Sequence, residues 1–195
     1  MKATSGSDEC GSDSSSEVDV PYFESPLTAI EEAMDLAEVG SNDVLLDLGC
    51  GDGRVLVAAA ERGARSIGVD VDNRRLEAAS RRVQKRGVAG LCTFQCSNFL
   101  SPGFEIAPEV SVVYLFGFHG VNDRLAPVLL SALRRGARLV TYSFHIKFQE
   151  PVTVQKARRG AIRLWTLPQA SLLAESSESQ IANIIKTNDF LESMD

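Results

Sequence analysis

One pattern recurs four times along this chain and limits the folds open to it. An amphipathic stretch ends at a glycine, and a short apolar run follows within a few residues. Glycine directly after a helix is typical of a left-handed C-cap, because it adopts positive φ without a Cβ penalty. Helices that alternate with nearly continuous apolar strands predict a parallel sheet with helices on both faces. The four glycines are Gly40, Gly63, Gly87 and Gly136.

The end of the pattern differs from its beginning. Two short apolar runs, 152–154 and 161–165, flank a turn at 156–160 and predict an antiparallel hairpin at the sheet edge. We therefore expect an α/β fold with a doubly wound, Rossmann-like sheet, mostly parallel and with a C-terminal antiparallel hairpin. Helices are predicted over 27–39, 54–62, 73–86 behind an N-cap at Asp72, and 121–135, and strands over 44–48, 66–70, 91–94, 110–116 and 138–142.

Composition divides the chain into a domain and two acidic tails. Residues 1–19 and 168–195 each contain five acids and one Lys, so the formal charge of −6 belongs to the tails rather than to the centre. The Ser-rich segment 1–19 has almost no large apolar side chain and is expected to be disordered. We expect one domain over 20–167, followed by a tail at 168–195 that is partly disordered or forms a short helix.

The chain shows no sign of export or of membrane insertion. No apolar run approaches the roughly 20 residues that cross a bilayer, and the first residues resemble neither a secretory signal nor a transit peptide. The four cysteines show no disulfide spacing. We expect a cytoplasmic or nuclear protein, with mitochondrial import unsupported. Cys92 and Cys96 lie four apart on a predicted strand, about 13 Å apart on one face, so no metal site is expected.

The loop after the first predicted strand is the candidate ligand-binding segment. It reads Asp-Leu-Gly-Cys-Gly-Asp-Gly-Arg over 47–54, and its alternate glycines Gly49, Gly51 and Gly53 let backbone approach a ligand closely. A P-loop would require Gly-Lys-Ser/Thr here, and a dinucleotide fingerprint would require glycine where Arg54 stands. An adenosine without phosphates is the ligand class that fits best. A dinucleotide is the distant runner-up, and the other alternative is a tight strand-to-helix connection that binds no ligand.

Two acids suit such a ligand. Asp70 ends the second strand, where a carboxylate accepts hydrogen bonds from both ribose hydroxyls. Asp47 precedes the glycines, where an anion suits an ammonium or sulfonium charge. The alternative role for Asp70, a helix N-cap, is filled better by Asp72.

These residues resemble the class I S-adenosylmethionine-dependent methyltransferases, whose acid-x-Gly-x-Gly-x-Gly loop and second-strand acid they match. Further matches resemble the protein-lysine methyltransferase family that contains the ATP synthase c-subunit and adenine nucleotide translocase methyltransferases and short bacterial homologues. The resemblance implies S-adenosylmethionine as cofactor and a lysine of a protein as acceptor. The matching segments include Val20-Pro21-Tyr22, Gly51-Asp52-Gly53-Arg54, Arg124-Leu125-Ala126-Pro127 and Gly136-Ala-Arg-Leu-Val140.

The chain departs from this pattern after its third strand. Where the family has an acid that faces the adenine, this chain has Asn98, followed by Phe99. The Asn98 amide can exchange hydrogen bonds with the base, and Phe99 can stack on it. The alternative is that Asn98 only turns the chain.

The acceptor is expected at the carboxyl ends of the fourth and fifth strands, the usual ligand edge of such a sheet. Aromatic side chains there would exclude water and attract a cation through their π faces. The candidates for a catalytic role are Tyr142, His119 and His145, and either histidine could relay the proton that a lysine must lose. The expected substrate-lining residues are Tyr22, Phe116, Phe118 and Phe144.

Other interpretations of the function stay open from sequence. The acceptor could instead be an RNA or a small molecule, or the chain could be a scaffold that binds S-adenosylmethionine without catalysis. Nucleic acid is the less expected partner, because a basic run such as that at 74–86 is usually a solvated helix face. The sequence leaves the oligomeric state open.

Overall fold

A seven-stranded sheet forms the centre of the protein. The computed structural model describes residues 24–116, 121–143, 145–149, 151–157 and 161–168. The predicted tails therefore lie outside the described residues, apart from Pro168. The helices are α1 (Leu27–Leu36), α2 (Arg54–Glu61), α3 (Asn73–Lys85) and α4 (Val121–Arg134). The strands are β1 (Val44–Leu48), β2 (Arg65–Asp70), β3 (Cys92–Cys96), β4 (Val112–Leu115), β5 (Arg138–Tyr142), β6 (Thr153–Lys156) and β7 (Ile162–Thr166).

The strand order is β3-β2-β1-β4-β5-β7-β6. The first five strands in this order pair in parallel, whereas β7 is antiparallel to both β5 and β6. The predicted α/β class, the doubly wound parallel sheet and the antiparallel hairpin are confirmed. The order reverses beside β1, and this is the point at which open α/β sheets bind their ligands.

Side chains of β1 alternate between the two faces of the sheet. Leu46 and Leu48 join a core with Leu125 and Leu129 of α4. Leu45 joins the opposite core, which is built on α1 and α2. Because successive side chains of a strand point to opposite faces, Asp47 lies on the α1 and α2 face with Leu45. The residues opposite Asp47 on neighbouring strands are Gly68 and Tyr114.

The basic residues of α3 contact carboxylates of the chain itself. Arg82 pairs with Asp52 of the glycine-rich loop, and Arg86 pairs with Glu61 at the end of α2. Arg81 pairs with Glu77 one turn away.

Within the described ranges no helix is both long and apolar enough to span a bilayer.

The end of α1 corrects one prediction from sequence. Gly40 is the predicted left-handed cap, but the helix ends at Leu36 and the positive φ of 51° falls on Glu38. The backbone N–H of Val39 then bonds to the carbonyl of Met34 at 3.0 Å, and Val39 is buried. Burial of Val39 and closure of the last turn place the left-handed residue two positions earlier than the glycine. The other three predicted cap glycines have positive φ.

Candidate functional site

The glycine-rich loop bends sharply between β1 and α2. Gly49, Gly51 and Gly53 have φ of 82°, 51° and 77°, a region that side chains with a Cβ rarely adopt. A Cβ on Gly53 would lie 2.7 Å from the Cβ of Ala79, so this glycine also lets α3 approach the loop. The bend predicted from the three alternate glycines is therefore present.

Asp70 holds this bend from the end of β2. One of its carboxylate oxygens accepts a hydrogen bond from the Gly51 N–H at 2.9 Å, and the other accepts from the Asp72 N–H at 3.0 Å. The side chain is buried. Asp72 caps α3 by accepting from the Arg74 N–H at 2.9 Å, so the N-cap role belongs to Asp72 as predicted. Asp70 thus joins the loop to the start of the connection into α3.

Asp47 is buried beneath the bend. Burial first, and then the nearby charges of Asp70 and Asp52, raise the pKa of its carboxyl group to about 8. The part of the chain that the structure describes gives this carboxylate no hydrogen-bond partner. A buried acid in such surroundings gains most from a positively charged ligand, which would compensate for its lost hydration.

A small cavity of about 40 Å³ opens beside Asp47. Its walls combine three acids with aromatic rings and loop backbone, and Gly49 contributes backbone without a side chain. The lining residues are Glu24, Ser25, Asp47, Gly49, Cys50, Asp52, Arg54, Val55, Tyr114 and Phe116.

The chain just before α1 closes one side of this cavity. Arg54 donates to the carbonyl oxygen of Ser25 at 3.2 Å and pairs with Glu24 at 2.8 Å. The Tyr114 hydroxyl donates to the Ser25 hydroxyl oxygen at 3.0 Å, and both side chains are buried. Burial raises the pKa of the Tyr114 hydroxyl above its usual range, so this phenol stays protonated and acts as a donor.

Arg54 and Arg82 converge on Asp52 within the loop. Arg54 binds both carboxylate oxygens of Asp52, at 2.9 and 2.7 Å, and Arg82 binds the same carboxylate and the backbone carbonyl. Partial burial alone would raise the pKa of Asp52, but the hydrogen bond and charge of Arg54, with the charge of Arg82, lower it. Asp52 is therefore a permanent anion that ties the loop to α2 and α3.

The predicted nucleoside contacts flank the outer side of the loop. A Cβ on Gly49 would lie 3.9 Å from the ring of Phe99, so this ring lies next to the loop backbone. The ring also meets Phe104 edge to face at 6.4 Å between centroids. Asn98 is exposed, and its side-chain oxygen accepts from the Leu100 N–H at 2.9 Å. Asn98 does turn the chain, whereas its amide NH₂ makes no hydrogen bond within the described residues.

Two of the predicted acceptor-side aromatics lie side by side. The rings of Phe116 and Tyr142 meet edge to face at 4.8 Å, on the same face of the sheet as Asp47 and Tyr114. His145 instead packs on Trp165 at 6.0 Å, and Trp165 belongs to the opposite core. The structure thus separates His145 from Tyr142. Tyr22, Phe118, His119 and Phe144 lie outside the described residues.

Residues 47–153 match the family described as the ANTKMT methyltransferase domain. This match covers more than half of the chain, and it begins at the buried acid of β1. The chain belongs to the ANTKMT methyltransferase family. The resemblance to class I S-adenosylmethionine-dependent methyltransferases is therefore confirmed.

Individual relatives of this ANTKMT-family chain agree with that placement. It is 33% identical over 144 residues to a protein-lysine N-methyltransferase of Saccharolobus islandicus, covering 72% of this chain and 87% of the relative. It is 23% identical over 164 residues to the ATP synthase c-subunit lysine N-methyltransferase of Xenopus laevis, covering 84% and 70%. An RNA methyltransferase from Salinibacter ruber, solved with S-adenosyl-L-homocysteine, superposes with a TM-score of 0.64 at 28% identity, covering 75% and 95%.

Sequence reasoning did not assign several residues of this ANTKMT-family site. Arg54 and Asp52 belong to the quoted motif, yet their mutual ion pair follows only from the tight bend that brings them together. Tyr114 lies opposite Asp47 in the register of β1 and β4, which no local pattern reveals. Ser25 and Glu24 carry no signal of their own, since they reach the cavity only through the path of the chain before α1.

Proposed function

We propose that this methyltransferase transfers a methyl group from S-adenosylmethionine to the side-chain nitrogen of a lysine in a protein. The observation that carries the proposal is the buried Asp47 carboxylate beside the glycine bend, with the Phe116 and Tyr142 rings on the same face. The names of the Saccharolobus islandicus and Xenopus laevis relatives support lysine as the acceptor.

The residues around the bend fit this donor. The positive charge of the methionyl end would favour the ionised form of Asp47 despite the raised pKa of this carboxyl group, and the open backbone at Gly49 leaves room that a side chain would fill. Asp70 has lone pairs left to accept from the ribose hydroxyls, because a carboxylate accepts about four hydrogen bonds and two are made here. Phe99 offers a ring face to the adenine. When bound, S-adenosylmethionine supplies an electrophilic methyl group at its sulfonium.

On the acceptor side, a lysine must arrive without its extra proton. Its ordinary pKa is about 10.4, and an apolar aromatic surrounding favours the neutral amine. Phe116 and Tyr142 provide such a surrounding at the ends of β4 and β5. Holding the amine in line with the methyl group then supplies much of the rate, because the displacement needs little further reorganisation. We infer that Tyr142, the candidate catalytic residue within the described ranges that lies beside Phe116, orients the amine.

Two measurements test the proposal in sequence. Titration calorimetry with S-adenosylmethionine should show binding by the full chain, and Asp47→Asn should weaken it at least tenfold. Asp35→Asn, which removes an exposed carboxylate on α1, is the matched control and should bind as wild type does. Incubation with methyl-labelled donor and an unmethylated cell extract should then label lysines in protein, as located by mass spectrometry.

The readout separates the proposal from its alternatives. Label found in RNA and not in protein would remove lysine as acceptor and would favour the activity named for the Salinibacter ruber structure. Label found in a small metabolite and not in protein would also remove lysine as acceptor and would favour a small-molecule substrate. Tight donor binding without any labelled product would favour a scaffold that does not catalyse.

A further inference from the structure

A half-buried cation lies on β7. The side-chain nitrogens Nε and Nη1 of Arg163 are buried without a hydrogen-bond partner in the part of the chain described. A guanidinium stays charged at every ordinary pH, and a buried charged donor left unpaired carries a large desolvation cost. The described residues therefore give these two nitrogens no compensating contact.

A second cation lies directly across the hairpin. The register of β6 and β7 places Lys156 opposite Arg163, and residues opposite each other in an antiparallel pair point to the same face. Like charges in this position destabilise a sheet. Lys156 is exposed and has no ion pair with any residue in the described ranges. An anion bound at this pair would remove both the repulsion and the unpaired charge.

The sequence around the pair is strongly basic. Residues 142–166 contain five Lys or Arg and a single acid, Glu150. The basic residues of α3 differ, because Arg82 and Arg86 are neutralised by carboxylates of this same chain. Excess positive charge is thus concentrated in the hairpin sequence. The ion pairs described for α3 neutralise residues of α3 and leave this excess unchanged.

The pair lies at the ligand edge of the sheet. Arg163 pairs with Thr141 on β5, one residue before Tyr142, whose ring meets Phe116. Tyr142 and Arg163 point to opposite faces, but both belong to the edge where β5 ends and β7 begins. A polypeptide that crosses the edge between β5 and β7 with a lysine beside Tyr142 would pass near Arg163, because Arg163 follows the residue that pairs with Tyr142.

We propose that Arg163, assisted by Lys156, binds an Asp or Glu carboxylate of the acceptor protein near the methylated lysine. The enzyme would then select lysines in acidic segments. This inference rests on the proposed lysine methylation. A carboxylate fits better than RNA, because one side-chain carboxylate matches the fork geometry of one guanidinium, whereas a phosphate backbone needs a track of exposed cations.

Paired peptides test the inference. Each peptide carries one central lysine, flanked in one peptide by Glu and in the other by Gln at the same positions, and labelled methyl transfer gives KM and kcat. The wild-type chain should show a KM about tenfold lower for the Glu peptide. Arg163→Gln and Lys156→Gln should each reduce this preference at nearly constant kcat. Arg81→Gln, which removes an exposed positive charge on α3, is the matched control and should keep the full preference.

A stability measurement accompanies the kinetics. Because two buried nitrogens of Arg163 lack a partner among the described residues, Arg163→Gln should melt at or above the wild-type temperature, so loss of preference would not reflect unfolding. Equal KM values for the two peptides with wild-type enzyme, or an unchanged preference in both hairpin variants, would overturn the inference and leave lysine methylation standing. Methylation of neither peptide together with labelled RNA would overturn both proposals.

Discussion

One residue at the end of α1, Glu38, has a strained backbone conformation. Glu38 has a φ of 51°, and a left-handed conformation costs a residue with a Cβ about 1–2 kcal/mol. Glycine avoids this cost but loses about 0.5–1 kcal/mol of backbone entropy on folding. Glu38→Gly should therefore raise the free energy of unfolding by about 0.5–1 kcal/mol, as measured by urea denaturation.

Gly40 is the matched control for this prediction. Its φ is not positive, and a Cβ built on it would meet no atom of the described residues within 4 Å. Gly40→Ala should leave stability unchanged or raise it slightly. A destabilised Glu38→Gly beside a neutral Gly40→Ala would show that the left-handed residue is not at position 38.

The raised pKa of Asp47 predicts a pH dependence of stability. Its carboxyl has a pKa of about 8 in the folded protein against an ordinary value of 3.8, so the folded state binds this proton more tightly than the unfolded state. The group stabilises the fold fully below pH ~4, and this contribution is lost as the pH rises toward ~8. Asp47→Asn has no proton to lose there. Its stability relative to wild type should therefore increase from pH 5 to pH 8 and then level off.

Urea unfolding of both proteins without ligand at pH 5, 6, 7, 8 and 9 measures this difference. Asp35→Asn controls for the loss of one acid, because Asp35 lies on the surface of α1. A constant difference between Asp47→Asn and wild type across the series would contradict the burial of an unpaired carboxyl at this position.

At the scale of elements, the contact between the glycine loop and α3 is set by one missing side chain. A Cβ on Gly53 would lie 2.7 Å from the Cβ of Ala79 and 3.0 Å from its Cα, and the φ of 77° adds strain. Gly53→Ala should lower the free energy of unfolding by roughly 2–4 kcal/mol, from overpacking and left-handed backbone together. Thermal or urea unfolding measures this loss.

A double variant separates the two causes. Ala79→Gly removes the nearer of the two contacts, so Gly53→Ala with Ala79→Gly should recover part of the steric cost once the cost of Ala79→Gly alone is subtracted. Strict additivity of the two changes would mean that α3 does not approach the loop as closely as the structure shows.

Elements also show what sequence patterns can and cannot predict. The predicted bounds of β1 and β5 match the observed ones, because each is a short apolar run that begins soon after a helix and its glycine. The predicted end of β3 lies two residues early, because Gln95 and Cys96 join the strand through their pairing with Val69 and Asp70. The prediction from Gly40 is wrong for α1 because the burial of Val39, a tertiary contact, decides where that helix ends.

The same distinction holds within the candidate site. Asp47 and the glycines follow one another in sequence, so local pattern places them together, and Asp70 reaches the loop through the predicted parallel pairing of β1 and β2. Tyr114, Ser25 and Arg163 acquire their surroundings from strand register and from the path of distant segments. Their environment is a property of the assembled sheet, and no single segment encodes it.

The whole molecule depends on its last strand. β7 lies between β5 and β6 and buries Ile162, Leu164 and Trp165 against both cores. Burying each such side chain contributes about 1.5–3 kcal/mol, so their loss together approaches the entire stability of an ordinary domain, about 5–15 kcal/mol. Without the hairpin, β5 would also expose an open edge. A fragment 20–151 should therefore be unfolded or aggregated, as shown by circular dichroism and gel filtration.

A fragment 20–168 tests the complementary prediction that one domain spans 20–167. It keeps every described helix and strand, so it should melt within a few degrees of the full chain and bind S-adenosylmethionine within about twofold. Trp165 is the single tryptophan of the chain and is buried, so its fluorescence reports hairpin packing directly. Emission in 20–168 should match that of the full chain and shift to longer wavelength on unfolding. A red-shifted emission in native buffer would mean that residues outside 20–168 hold β7 in place.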